Sequence, residues 1–350
     1  NNRLNVSFDA YIRDTKDMLM AGKTLPGVYG ASSPRMNVAD LRTKGWEASV
    51  TWGDSFTLAS KPFNYRIMAG IGDNTSKVTK YDNPNRTLTD PYEGQQLGEI
   101  WGYVVDGYFK TDEEARNYKV DQSFVNQMIN ASALDNGLHA GDLKFVDLDG
   151  NNKIEQTTSA NDRKDMKVIG NSLPRYNYNF GISADWYGID FSVLFQGIGK
   201  QNWYPGAETS MFWGPYSRPY ASFIPSDFMS QVWSEENTNA YFPRPRGYVA
   251  LGSNRELAVV NTKYLQNLAY CRLKNLSIGY TLPDKWLSKI GFEKIRVYFS
   301  GENLLTFTKL HSDYIDPEQA SASNSWKTSK SDANIYPWAK TYSFGVDITF

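Results

Sequence analysis

From Leu4 onward the chain alternates apolar and polar residues: Leu4, Val6, Phe8, Ala10 and Ile12 fall on one side, Asn5, Ser7, Asp9, Tyr11 and Arg13 on the other. A period of two is the signature of a strand with one greasy and one polar face. The same alternation returns at Trp46, Ala48, Val50, Trp52 and at Phe63, Tyr65, Ile67, Ala69, Ile71. It returns again at Tyr176, Tyr178, Phe180, Ile182, Ala184, Trp186, where Tyr187-Gly188 reads as a tight turn into Ile189, Phe191, Val193, Phe195. Leu276, Ile278, Tyr280, Leu282, then Ile295, Val297, Phe299, then Tyr342, Phe344, Val346, Ile348, Phe350 complete the set. The pattern predicts eight strands near 2–13, 43–53, 62–74, 174–186, 188–198, 268–282, 293–306 and 340–350.

These strands are about twice the length usual in soluble proteins, and close to the 9 to 11 residues of a tilted membrane-crossing strand. Aromatic residues sit at or near their ends, as in an interfacial girdle: Trp46, Trp52, Phe63, Tyr176, Trp186, Tyr342, Phe350. A soluble β-sandwich also alternates, but the connections argue against it. They run long, short, long, short: 14–43, 53–62, 74–173, 187–188, 199–267, 283–293, 307–339. Outer-membrane barrels place short turns on the periplasmic side and long loops outside, whereas a sandwich has no reason to gather its long loops at one end. Both termini then fall on the periplasmic side.

Composition fits a membrane barrel once the strands are in view. The chain has 350 residues, net charge −1, 15% aromatic residues, one Cys and two His, and its mean hydropathy is −0.53. Balanced charge gives no electrostatic footprint for nucleic acid. A lone Cys271 excludes an intrachain disulfide framework. No apolar run is long enough for a transmembrane helix, which leaves strands untouched. Residue 1 is Asn, with neither an initiator Met nor a signal peptide, so the expectation is a processing or truncation point with sequence missing upstream.

Enzyme signatures are absent. His139 and His311 neighbour no Cys, second His or Gly-x-Ser-x-Gly elbow. Gly70-x-Gly72 and Gly197-x-Gly199 carry Thr75 and Asn202 where a dinucleotide fingerprint needs a third glycine. Asp112, Glu113 and Glu114 read as the first turn of a helix capped by Thr111.

Two segments carry candidate binding chemistry. The first, Asp147-Leu-Asp149-Gly-Asn151-Asn152-Lys153-Ile154, has the oxygen spacing of an EF-hand-type calcium loop: side chains of Asp147, Asp149 and Asn151, the backbone carbonyl of Lys153, and apolar Ile154. Asn152 stands at the usual glycine position and Thr158 where a bidentate Glu belongs, so Asp162 is the expected further ligand. An Asx-rich turn without metal is the alternative. The second segment, 199–267, concentrates Trp203, Tyr204, Trp213, Tyr216 and Trp233 among prolines. These rings either form an exposed face for a sugar, a peptide or a partner lid, or are buried by the loop folding on itself.

Several stretches together resemble the SusC/RagA family of TonB-dependent outer-membrane transporters of Bacteroidota. They are 171–178 (Asn-Ser-Leu-Pro-Arg-Tyr-Asn-Tyr) leading to Phe195-Gln196-Gly197, 270–283 (Tyr-Cys-Arg-Leu-Lys-Asn-Leu-Ser-Ile-Gly-Tyr-Thr-Leu-Pro), 296–304, 341–350, Lys44-Gly45-Trp46-Glu47 and the Asp-x-Asp-Gly loop. The resemblance covers essentially the whole chain. It implies an all-β fold in which these strands are the last eight of a 22-stranded barrel, with the plug domain and preceding strands outside this chain. Tyr342, Phe344 and Phe350 would then belong to the C-terminal signal read by the assembly machinery. It further implies active import of oligosaccharides or peptides across a Gram-negative outer membrane, under a SusD-like surface lipoprotein and energised through TonB. A passive or adhesive barrel, and a soluble carbohydrate-binding β protein, are the competing function classes.

Overall fold

The computed structural model describes residues 3–22, 27–32, 34–125, 137–217, 224–245, 250–252, 255–287, 291–320, 330–331 and 337–350. Eight long strands form one antiparallel sheet in which every strand pairs with its neighbours in sequence. We number them β1 (Leu4–Ala21), β2 (Arg35–Leu58), β3 (Lys61–Lys80), β4 (Arg175–Trp186), β5 (Ile189–Lys200), β6 (Tyr270–Thr281), β7 (Lys294–Thr308) and β8 (Thr341–Thr349). Among the described residues β1 and β8 each have one partner only, so the sheet is an open arc rather than a closed barrel.

All eight predicted strands are present, and the last five lie within a few residues of their expected bounds. The first three are longer than expected, at 18, 24 and 20 residues against predictions of 2–13, 43–53 and 62–74; Asn2 lies outside the described residues. Charged and glycine residues at 14–17 and 53–55 break the apolar alternation and so read as turns. The backbone ladder does not need apolar side chains, and Asp14 still pairs with Arg42, and Asp54 with Tyr65. A 24-residue strand spans on the order of 80 Å, well beyond an apolar band of about 25 Å. These hairpins therefore project past the band.

The two tightest turns lie at the same end of the sheet. Ala59-Ser60 and Tyr187-Gly188 all have positive φ (51° and 63°, 51° and 85°), the type I′ geometry whose twist matches the flanking strands. The long connections gather at the opposite end.

Register sorts the faces. Phe8 opposes Ala48, Ala48 opposes Ile71, and Ile71 opposes Tyr178. Along β4 to β8, Ile182, Val193, Leu276 and Gly301 are followed one row on by Ala184, Phe191, Ile278, Phe299 and Phe344. The apolar set thus makes one continuous face, with Phe180 stacked on Phe195 at 4.6 Å and Phe299 tilted against Phe344 at 5.2 Å. Among the described residues nothing covers this face: Phe8 is 67% exposed and Phe344 83%. The opposite face is polar, with Ser183, Ser192, Ser277, Ser300 and Ser343 in one row across β4 to β8.

The buried core lies elsewhere. The described residues of 81–174, 201–269 and 309–320 fold together into a cap whose interior holds Trp203, Tyr204, Trp213, Tyr216, Phe242, Tyr264, Leu143, Phe145 and Ile154. Short ladders stiffen it, Glu99–Tyr103 on Met166–Asn171 and Asn202–Pro205 on Gln266–Asn267. The helix Asp112–Arg116 is capped by the Thr111 hydroxyl, which accepts from the Glu114 amide at 3.1 Å, as its sequence predicts.

Candidate functional site: an aromatic cap and an acidic loop

The cap forms where β5 runs on into Asn202–Pro205, carrying Trp203 and Tyr204 into the loop layer. Trp203 and Tyr216 are 1% exposed, Tyr204 and Trp213 0%, and Trp233 7%. Of the two alternatives left by the sequence, the loop has folded on itself. The expectation that these five rings are presented to a ligand or lid is therefore corrected: they are interior side chains.

Three of the five use their polar atoms internally, whereas Trp233 Nε1 is buried with no partner among the described residues. Trp213 Nε1 donates to the Gly206 carbonyl at 2.9 Å, and Tyr204 Oη to the Leu257 carbonyl at 2.7 Å. Tyr216 Oη donates to the Pro243 carbonyl at 2.5 Å. Trp213 meets Tyr264 edge-on at 5.2 Å, and Tyr216 stacks on Phe242 at 5.8 Å. Trp233 lies over Gly141, where a Cβ would stand 2.5 Å from the indole ring. The physical reason is that rings this dense are better removed from water by one another than by solvent-facing display.

A charged junction, which the sequence did not announce, ties the cap to the wall. Arg272 on β6 donates from Nη2 to Asp316 Oδ1 and from Nη1 to Glu318 Oε2, each at 2.7 Å. Lys274 adds a bond to Glu318 at 2.8 Å. Arg272 and Asp316 are almost fully buried. Their partners lie more than 40 residues apart in sequence, so no local spacing could have revealed the pair.

The acidic loop keeps its predicted local form. Asn152 takes φ 63° at the glycine position, and Ile154 is fully buried. Asp147 accepts from the amides of Gly150 (2.8 Å) and Asn152 (2.7 Å). Burial acts against ionisation of Asp147, but these amide bonds outweigh it and hold its carboxyl below the usual range. Asn151 accepts from the Lys153 amide and donates to Asp149 at 3.1 Å.

The third carboxylate is Asp165. Ligand oxygens of Asp147, Asp149 and Asp165 all lie within 4.8 Å of one another. Asp162, the expected further ligand, instead pairs with Ser159 in a turn, so that assignment is corrected. Asp165 is fully buried and accepts from the amides of Leu148 (2.8 Å) and Glu155 (2.7 Å). Burial raises its pKa, the two amides oppose this, and the neighbouring Asp149 and Asp147 push it further up. Oxygens sharing one calcium at about 2.4 Å each lie at most about 5 Å apart, so the three carboxylates have the spacing and hard-oxygen chemistry such an ion takes. Tyr342, Phe344 and Phe350 stand on the uncovered apolar face, Phe350 with its ring 6.0 Å from Phe292.

No family model matches the chain. Among known proteins it is 28% identical over 369 residues to TonB-dependent receptor P3 of Formosa agariphila, covering all of this chain and 33% of that protein. The chain is similar from end to end to TonB-dependent receptors. A second Formosa agariphila relative, TonB-dependent receptor P39, is 26% identical over 376 residues, and TonB-dependent receptor SusC of Bacteroides thetaiotaomicron is 22% identical over 352. P39 aligns with 99% of this chain and SusC with all of it, over 34% and 30% of their own lengths. This SusC-like chain thus spans about a third of the length of the relatives it matches. These relatives are receptors rather than enzymes. Solved structures share the fold: the RagAB peptide importer in its open-open state superposes with TM-score 0.67 at 21% identity, covering the whole chain and 33% of that structure's chain. Its closed-closed state gives 0.63 at 22%, with the whole chain and 34% covered.

Proposed function

We propose that this chain is the wall and loop layer of an outer-membrane active importer of oligosaccharides or peptides, energised through TonB and working under a SusD-like surface lipoprotein. One observation carries the proposal: end-to-end similarity to TonB-dependent receptors falls on a sheet with a continuous uncovered apolar face, a surface that water would not tolerate and lipid would cover. The open edges of β1 and β8 are where the remaining strands of a 22-stranded barrel and its plug domain would complete the wall. The RagAB neighbour transports peptides, which supports the peptide alternative for the substrate.

In this proposal the cap is the ligand-facing layer, and its five buried aromatics act by holding its shape. The acidic loop would hold calcium between Asp147, Asp149 and Asp165, and the ion would fix the loop against the cap core through the adjoining Ile154. Tyr342, Phe344 and Phe350 would present the C-terminal assembly signal. The test is uptake of labelled oligosaccharides and peptides by cells carrying the intact transporter, with and without TonB. Uptake that requires both the transporter and TonB is expected; equal uptake without TonB would reduce the protein to a passive barrel.

A further inference from the structure

On the short-turn side the apolar face of the sheet ends in a cluster of rings. Phe56 opposes Phe63, and Phe63 opposes Trp186, so three rings share one row across β2, β3 and β4. Phe63 lies 5.0 Å from Phe56 and 6.2 Å from Tyr65. Both indole N–H groups are used within the cluster: Trp52 Nε1 donates to Tyr65 Oη at 3.0 Å, and Trp186 Nε1 to the Leu58 carbonyl at 3.2 Å. Rings with an apolar body and a polar tip settle where lipid chains give way to headgroups.

Lys61 stands just outside this row. It opposes Leu58 across the Ala59-Ser60 turn, two residues and about 7 Å beyond Phe63 and on the same side of the strand. Its Nζ lies 5.1 Å from the centre of the Tyr187 ring, so a cation over an aromatic face joins the two tight turns. Phe56 and Leu58 beside it are exposed, which leaves the ammonium at the margin of the uncovered surface.

Lys61 differs from the other cations of the sheet in lacking a counter-charge. Four others rest on rings, and each also meets a carboxylate: Arg175 with Asp73, Arg272 with Asp316, Lys274 with Glu318 and Arg296 with Asp190. Among the described residues no carboxylate reaches Lys61. An ammonium has three donors and the ring face takes one, so two remain for an anionic oxygen from outside the chain. Beside an apolar face that lipid covers, the anion brought to this boundary is a lipid phosphate.

We propose that Lys61, seated on Tyr187 at the end of the ring cluster, holds the phosphate of a phospholipid and favours anionic headgroups over zwitterionic ones. A zwitterionic headgroup carries its own cation, which competes for the phosphate and repels Lys61. The inference rests on the apolar face being lipid-covered and deepens that reading by naming the headgroup chemistry selected.

The experiment takes the intact transporter from micelles containing equal amounts of phosphatidylglycerol and phosphatidylcholine and counts the lipids still bound by native mass spectrometry. The expected result is about a fivefold preference for phosphatidylglycerol at one site, the scale of one lysine at an anionic membrane surface. Lys61→Gln should abolish the preference and Lys61→Arg should keep it. Lys285→Gln, a change in the other short connection, should leave it untouched. A preference that survives Lys61→Gln, or that Lys285→Gln abolishes equally, overturns the site. So does displacement of the bound lipid by soluble glycerol phosphate alone, because such a site would take a free phosphate rather than a lipid. A transporter that inserts into phosphatidylcholine vesicles but retains both lipids equally loses the headgroup site and keeps the lipid-covered face; one that does not insert loses both.

Discussion

The acidic loop turns on one carboxyl group. Asp147 and Asp149 lie two residues apart and would meet in any Asx-rich turn, whereas Asp165 arrives from the far end of the loop and is buried beneath them. We expect Asp165→Asn to abolish calcium binding, followed by titration calorimetry or terbium luminescence on the intact protein, and Asp162→Asn to leave it intact. The pH dependence has a definite sign. Burial and the neighbouring carboxylates raise the Asp165 pKa, and a proton competes with the metal for the same oxygen. Affinity should therefore fall as pH is lowered through that raised value, earlier than ordinary carboxylates would predict.

Between elements, the decisive contact is the one holding the last long loop to β6. Removing one partner of a buried ion pair leaves the other desolvated and unmatched, at a cost of about 3–5 kcal/mol. Arg272→Ala would strand Asp316 in this way, while Glu318 keeps its bond to Lys274. Faster proteolytic cleavage within 309–340 and a lower melting temperature are expected, with no change in β-content. Arg296 illustrates the same dependence between strands on a smaller scale. It spans β6 to reach Asp190 because Gly279 lies between them, where a Cβ would come within 2.5 Å of Asp190 Oδ1.

For the whole molecule the division of labour is between a one-strand-thick wall and a cap that contains the core. If lipid covers the apolar face, Ile182→Arg should cost about 2–4 kcal/mol, as for a charge facing the bilayer interior. Ser183→Arg, one residue on and on the polar face, should cost far less. Folding yield of the intact transporter in lipid vesicles checks this, and equal losses for the two variants would contradict the assignment of faces.

The strands were readable because a period of two is imposed by the backbone itself, and a membrane-facing wall repeats it without help from distant residues. Local backbone demands were readable for the same reason: the Tyr187-Gly188 turn, the Thr111 cap and the left-handed Asn152 each depend on a few neighbouring residues. Other features lay beyond any local signal. The hairpins β1 to β3 continue past the apolar alternation because ladder bonds, unlike burial, do not require it. The aromatics of 199–267 could have been a display surface or a core, since composition is the same in both, and only packing against 81–174 and 309–320 buried them. Asp165 with Asp147 and Asp149, and Arg272 with Asp316, are residues that only chain folding brings together.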